Sequence, residues 1–235
     1  MNKKTQFINL GLIDYKNAWD YQVELFNKIL AVKADNRSLP AEQQKETQNY
    51  LLFCEHPHVF TLGKSGDEAN LLIDKSQLDA IHASYYHINR GGDITYHGPG
   101  QIVGYPVIDM ENFFTDIHRY MRFLEQAVID TLLEFQIPSG RIEGLTGVWI
   151  NYERPENARK ICALGVKTSR WVTQHGFALN INTDLRYFEY IIPCGIQQKS
   201  VTSLERELGT KQDLLQVETI LQEKIREQFG MIWIP

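Results

Sequence analysis

The stretch Arg90–Tyr105 reads RGGDITYHGPGQIVGY and holds five of the chain's sixteen glycines: Gly91, Gly92, Gly98, Gly100 and Gly104. Glycine takes positive φ without steric cost and lets another group come close to the backbone. An ordinary turn needs one or two. Arg90, Asp93, Tyr96, His97 and Gln101 crowd into the same stretch, so it reads as the wall of a binding site. Phosphate is the first ligand to test. The stretch lacks GxxxxGK[ST] and lacks a GxGxxG opening a helix. Gly98-Pro99-Gly100 leads through Gln101 into a strand, so no helix N-terminus waits there for an anion. The plainer alternative is a β-hairpin with a Gly-Pro-Gly turn, and the crowded polar side chains favour the binding wall.

Working outward, strand-like runs surround this stretch: Tyr50–Glu55, Val59–Leu62, Tyr85–Ile88, Ile94–His97, Ile102–Ile108, Val148–Ile150, Ile161–Val166 and Gly176–Ile181. Several are rich in β-branched and aromatic residues and bounded by Gly, Pro or Asn. Apolar stripes predict three helices. They are Trp19/Val23/Phe26/Leu30, then Ile117 to Phe135 after the cap candidate Thr115, then Leu214 to Phe229, ended by Gly230. Helices early, middle and late around clustered strands predict an α+β fold with a mixed, largely antiparallel sheet flanked by helices. Asp35–Thr47 reads as a polar surface loop or helix extension, and Asn151–Arg159 (NYERPENAR) as a charged hairpin loop. The 235 residues suit a single domain, 1–235, with a small helical cap from about 200 to 235.

Net charge is −5, which argues against nucleic acid as a partner. No run of about 18 apolar residues is present to span a membrane, and MNKKTQFINLGLIDY lacks the apolar core of a signal peptide. A cytoplasmic protein is expected. The three cysteines, Cys54, Cys162 and Cys194, show no metal-type spacing. Cys54 and Cys162 sit among apolar neighbours, as buried thiols do. Cys194, between Pro193 and Gly195, fits that description worst: glycine after the thiol leaves a backbone N–H open to an oxyanion. A thiol of pKa about 8.5 needs a cation or base to act as a nucleophile near pH 7. Lys160, Lys167, His97 and His175 are available, and neither spacing nor composition chooses among them. Strand alternation puts Lys160 and Cys162 on one face. His175, in TQHGFALNIN, is as readily a hydrogen-bonded structural residue as a base.

In order and spacing, RGGDITYHGPGQIVGYP, KICALGV, HGFALNINTDL and PCGI resemble the lipoyl(octanoyl) transferase family, related in fold to the biotin and lipoate protein ligases. The resemblance runs from about Glu55 to about Leu204. It implies Cys194 as an acyl-thioester nucleophile and Lys160 as the group that lowers its pKa and moves its proton. It implies a substrate pocket lined by Arg90, Gly91, Gly92, Asp93, Ile94, Thr95, Tyr96 and His97. Ala163, Leu164 and Gly165, and Gly176, Phe177 and Ala178, would complete that pocket, with His175 a possible accessory. It further implies octanoyl transfer, a step of lipoate biosynthesis, from the phosphopantetheine arm of acyl carrier protein to a lysine. The acceptors would be lipoyl domains of 2-oxoacid dehydrogenase complexes and the glycine cleavage H protein. Neither ATP, a metal nor another cofactor is expected. Because these partners are acidic, a basic rim is expected, with Arg159, Lys167, Arg170 and Lys199 as candidates. Three alternatives stay open: an ATP-dependent lipoate or biotin ligase, an enzyme moving octanoate between lipoyl domains, and a catalytically silent binding module. The insert Glu153–Ala158 is longer than compact members of the family carry.

Overall fold

The computed structural model describes residues 1–192 and 200–235. In chain order the elements are β1 (Lys4–Leu12), α1 (Tyr15–Asn36), β2 (Asn49–Glu55), β3 (Val59–Leu62), α2 (Lys75–Ala80), β4 (Ser84–His87), β5 (Ile94–His97) and β6 (Gln101–Val107). There follow α3 (Ile117–Glu134), β7 (Ser139–Ile142), β8 (Leu145–Ile150), β9 (Arg159–Ser169), β10 (Val172–Asn180), β11 (Ser200–Val201), α4 (Leu204–Leu208), α5 (Leu214–Phe229) and β12 (Ile232–Ile234). Among the described residues the main sheet runs β12-β1-β2-β6-β10-β9-β8-β7, with β11 beside β9, and a second sheet runs β4-β3-β5. Along the path from β2 to β7 each successive pairing is antiparallel, while β1 lies parallel to β2 and β12, and β11 lies parallel to β9. This is the expected mixed, largely antiparallel α+β fold, divided into two sheets.

The division falls inside the glycine stretch. β5 belongs to the small sheet and β6 to the large one, so Gly98-Pro99-Gly100 carries the chain from one sheet to the other instead of turning a hairpin. Gly100 has φ +81°, and a Cβ there would meet the Asn182 carbonyl at 2.5 Å. That approach fixes the crossing.

Both faces of the main sheet are covered. Leu51, Phe53, Ile102, Val148, Ile161, Phe177 and Leu179 pack with α3 and α5. Tyr50, Leu52, Cys54, Val103, Val107 and Ala178 pack with α1. Burial on both sides explains why β2 reads as the continuous apolar run YLLFC and not as an alternation. The α1 stripe is rotated from the expected one. Ala18, Gln22, Leu25, Phe26 and Ile29 face the core, and Val23 does not. α3 begins from Asp116, whose carboxylate accepts the Arg119 N–H, so Asp116 and not Thr115 is its cap. The α5 stripe is as read, closed by Gly230 at φ +64°. The segment from Ser200 onward is no cap set apart: Val217, Leu221, Ile225 and Phe229 enter the main core, and β12 pairs with β1. No helix among the described residues is long and apolar enough to cross a membrane.

Candidate active site

A cavity of about 560 Å³ opens between the two sheets. One wall is built from the main sheet: Val103 and Tyr105 of β6, Ala163–Val166 of β9, and Gly176–Ala178 with Asn180 of β10. Residues 90–95 and His97 face them from the small-sheet side, with Tyr15 at the start of α1. Ile117, His118 and Met121 of α3 and residues 144–146 line a further side. The walls meet where side chains are missing. A Cβ on Gly165 would lie 2.8 Å from the Gly91 carbonyl oxygen and 3.0 Å from Arg90 Cδ, so glycine at 165 lets the 90–92 segment lie against β9.

Arg90 is 8% exposed. Its Nη2 donates to the Thr61 carbonyl (2.8 Å) and to Thr61 Oγ1 (3.1 Å), and its Nη1 to the Gly91 carbonyl (3.1 Å). It therefore ties the glycine segment to β3. Asp93 is likewise engaged: its carboxylate accepts from Asn70 Nδ2 (2.8 Å) and from the Ile94 N–H (2.7 Å). His97 Nδ1 lies 2.8 Å from Gln101 Oε1, and Gln101 Nε2 donates to Asn180 Oδ1 at 2.8 Å. Burial, then the neighbouring His56 ring, pushes the His97 pKa down to about 3, against a smaller upward pull from the Gln101 bond.

His175 stands where the β6–β10 ladder is interrupted. Its φ is +62°, unusual for a residue with a side chain, and its N–H donates to Gln22 Oε1 of α1 at 3.1 Å. Burial, then the charge of Arg90, lowers its pKa to about 3. Burial holds His56 down to about 4. Two neutral imidazoles, His97 and His175, thus border the Arg90 side of the cavity at physiological pH, with neutral His56 beside His97, and none of them is a ready proton acceptor there.

Lys160 lines the cavity, with Nζ 4.7 Å from the Trp149 ring centroid. Strand alternation placed Cys162 on its face, but β9 carries a bulge: Trp149 pairs with Lys160 and Val148 with Cys162, leaving Ile161 extra. Cys162 consequently packs into the α3 core while Lys160 reaches the cavity. Burial pushes the Cys54 and Cys162 thiols far up, so neither supplies a thiolate. Cys194, the expected nucleophile, lies outside the described residues. The chain on either side is anchored. The Ile192 N–H donates to the Asn70 carbonyl at 2.9 Å. Ser200 and Val201 pair with Arg159 and Lys160 and line the cavity.

Of the expected pocket residues, Tyr96 is placed elsewhere. It is buried in the small sheet's own core, its hydroxyl 2.7 Å from His58 Nδ1 and its ring stacked on Tyr187. On a four-residue strand, alternation sends Thr95 and His97 to the cavity and Tyr96 to the opposite face. Arg159 is not a free rim charge either, because Glu207 of α4 holds it in a bidentate pair at 2.9 and 2.7 Å. Lys167 lies over the Phe26 ring, and Lys199 is outside the described residues. The sequence reading missed Tyr15, Ile117, His118, Met121, Leu145 and Thr146. Ile117 and Met121 were visible as the margin of the α3 stripe; the others carry no local signal. Among the described residues no group of three or more His, Cys, Asp or Glu side chains could hold a metal ion.

The family model described as the lipoyl protein ligase A/B catalytic domain matches residues 14–226. The chain belongs to that family. Within the lipoyl protein ligase A/B family it is 57% identical over 230 residues to an octanoyltransferase of Cytophaga hutchinsonii, covering 98% of this chain and 94% of the relative. It is 59% identical over 228 residues to that of Flavobacterium psychrophilum, covering 97% and 94%. The name of these relatives agrees with the expected resemblance to the lipoyl(octanoyl) transferases. The fold is also that of a bipartite lipoate protein ligase from Thermoplasma acidophilum, with TM-score 0.70, 16% identity, and 99% and 86% of the two chains covered. It matches a lipoate-protein ligase A bound with ATP at TM-score 0.65 and 16% identity, covering 100% and 90%.

Proposed function

We propose that this protein transfers an octanoyl group from the phosphopantetheine thioester of acyl carrier protein to the ε-amine of a lysine on lipoyl domains, through a thioester on Cys194. The reading is carried by end-to-end identity of 57% and 59% with octanoyltransferases, in a chain whose Lys160 lines a cavity walled by the same motif segments. About 560 Å³ is within the usual range of small-molecule sites, and Val103, Ala163, Leu164, Phe177 and Ala178 give an alkyl chain apolar walls. Burying that chain would contribute about 0.8 kcal/mol per methylene.

In the first half-reaction the Cys194 thiol loses its proton to Lys160, and the thiolate attacks the thioester carbonyl. The carbon–sulfur bond to the arm breaks, and the arm leaves as a thiol that takes up the proton. In the second, the acceptor amine attacks the acyl-enzyme, its proton passes to Lys160, and the amide forms as Cys194 departs. The donor is already activated, so the route needs no ATP and no metal. Val201 pairs with Lys160 in the sheet, which ties one end of the Cys194 segment to the strand that bears Lys160.

Mixing the protein with octanoyl-carrier protein is expected to add one octanoyl group by intact mass, labile to hydroxylamine. Cys194→Ser should abolish the hydroxylamine-labile adduct, and Lys160→Met should slow its formation by about 10²-fold or more. A labile adduct on Cys194→Ser would remove Cys194 from its role. Octanoylation of lipoyl domain from free octanoate and ATP, without carrier protein, would favour a ligase.

A further inference from the structure

The main sheet has an opening at the cavity. β8 and β9 pair from Ile150–Arg159 to Val148–Cys162, and among the described residues the ladder shows no rung beyond that. Two residues further along β9 from Leu164, the Val166 carbonyl accepts the Gly91 N–H at 3.0 Å. Backbone groups of alternate residues point to the same edge of a strand. Leu164 therefore turns its N–H and C=O to the same edge as Cys162 and Val166, and its rung is the one left open between them. Residues on both sides of the opening, Leu145 and Thr146 on one and Gly91 and Gly92 on the other, line the cavity.

The opening has a local cause. Gly147 takes φ +128°, and a Cβ there would sit 2.8 Å from the Cys162 carbonyl oxygen. Its N–H lies off the rung that Val148 makes with Cys162 and donates to Glu125 Oε1 at 3.0 Å. Glu125, wholly buried on α3, is itself fixed by Arg141 Nε (2.9 Å) and Arg122 Nη1 (3.0 Å) at Oε2. This carboxylate holds Gly147, with its φ of +128°, next to Thr146, the residue whose rung would face Leu164.

We propose that the open rung at Leu164 receives one linear secondary amide of the acyl donor's pantetheine arm, and that Glu125 is the positioning residue that keeps the rung open. The inference rests on the thioester donor of the proposed function. A backbone N–H and C=O side by side are satisfied together only by a group that both accepts and donates. A thioester carbonyl only accepts and an alkyl chain does neither, whereas the arm carries secondary amides behind its sulfur. A protein strand fits poorly, because Val148 already pairs with Cys162 and the Gly91 N–H already takes the Val166 carbonyl. Leu164 lies four residues along β9 from Lys160, about 10 Å at the strand rise once the Ile161 bulge is discounted. That separation suits the trailing arm better than the amide product, which forms at the reacting atoms.

Amide hydrogen exchange at Leu164 tests the rung without turnover. In the free protein this amide should exchange much faster than those of Cys162 and Leu179. An unreactive ketone analogue of octanoyl-pantetheine, with methylene for sulfur, should slow it about tenfold or more, and a dialkyl ketone of matching chain should not. Slow exchange in the free protein, equal protection by both ketones, or protection by Nε-octanoyl-lysine amide would overturn the proposal. In turnover, replacing octanoyl-pantetheine by the octanoyl thioester of a simple alkyl thiol should lower kcat/KM about tenfold, mainly through KM. Glu125→Met should let β8 close on β9, protecting Leu164 in the free protein and raising donor KM, while Glu125→Gln, which still accepts from Gly147, should restore both. Unchanged exchange and KM in Glu125→Met would remove Glu125 from the positioning role. Binding of the arm at Leu164 by a protein that transfers no octanoyl group would overturn the proposed function and leave this inference standing.

Discussion

His97 and His175 bring the problem of burying a titratable ring to the cavity wall. Both have pKa values near 3 in the fold, against about 6.5 in an unfolded chain. His56 adds a third at about 4. The unfolded chain takes up protons first as the pH falls below about 6.5, so each ring stabilises the fold above that pH. The contribution is lost down to about pH 3–4, at about 1.4 kcal/mol per pH unit per ring. Melting temperature should fall steeply between pH 6.5 and 4, and His97→Gln should flatten that fall while leaving the pH 7–8 region level. A melting temperature independent of pH over that interval would mean that the rings are not held neutral. These residues also mark how far a sequence can be read. Lys160, Arg90 and the glycines were found by their motifs, because the cavity needs small or cationic groups there. Tyr96 was misplaced because β5 has four residues and its two faces serve different cores, a fact that only the split of the sheets decides.

At the scale of elements, what local pattern could not show is where one strand departs from another. The α5 stripe and the β3 and β5 boundaries are carried by periodicity. The β9 bulge at Ile161 is not, since alternation counts residues and a bulge adds one. The same holds for α1, whose buried face is centred on Gln22, a polar residue that no apolar stripe predicts. Gln22 is there because β10 leaves β6 at His175, and the freed His175 N–H needs an acceptor. Gln22→Met keeps the volume and removes the acceptor. It is expected to cost about 1–3 kcal/mol in urea unfolding at an unchanged m value. A loss of less than about 0.5 kcal/mol would show that this N–H finds another partner.

For the whole molecule, the question is whether the segment from Ser200 onward is a cap or part of the body. The sequence pattern predicts a single domain in which helical segments from about Ser200 form a small cap. The packing argues the reverse. Phe229 meets Phe113, Phe114, Tyr120 and Phe123, and Val217, Leu221 and Ile225 fill the same core against α3. β12 then pairs with Lys4, Thr5 and Gln6 of β1, joining the two ends of the chain at one edge of the main sheet. α4 adds a tie at the other side, where Glu207 grips Arg159 of β9, one residue from Lys160. Phe229→Ala is therefore expected to cost about 3–5 kcal/mol, as for aromatic truncation in a core. Ending the chain after Gln212 should abolish the cooperative melt altogether, because it uncovers one face of the main sheet and strips the edge of β1. A truncated protein that still melts cooperatively, within a few degrees of the full chain, would restore the picture of an appended cap. β9, which bears Lys160, would then stand independently of everything beyond α4.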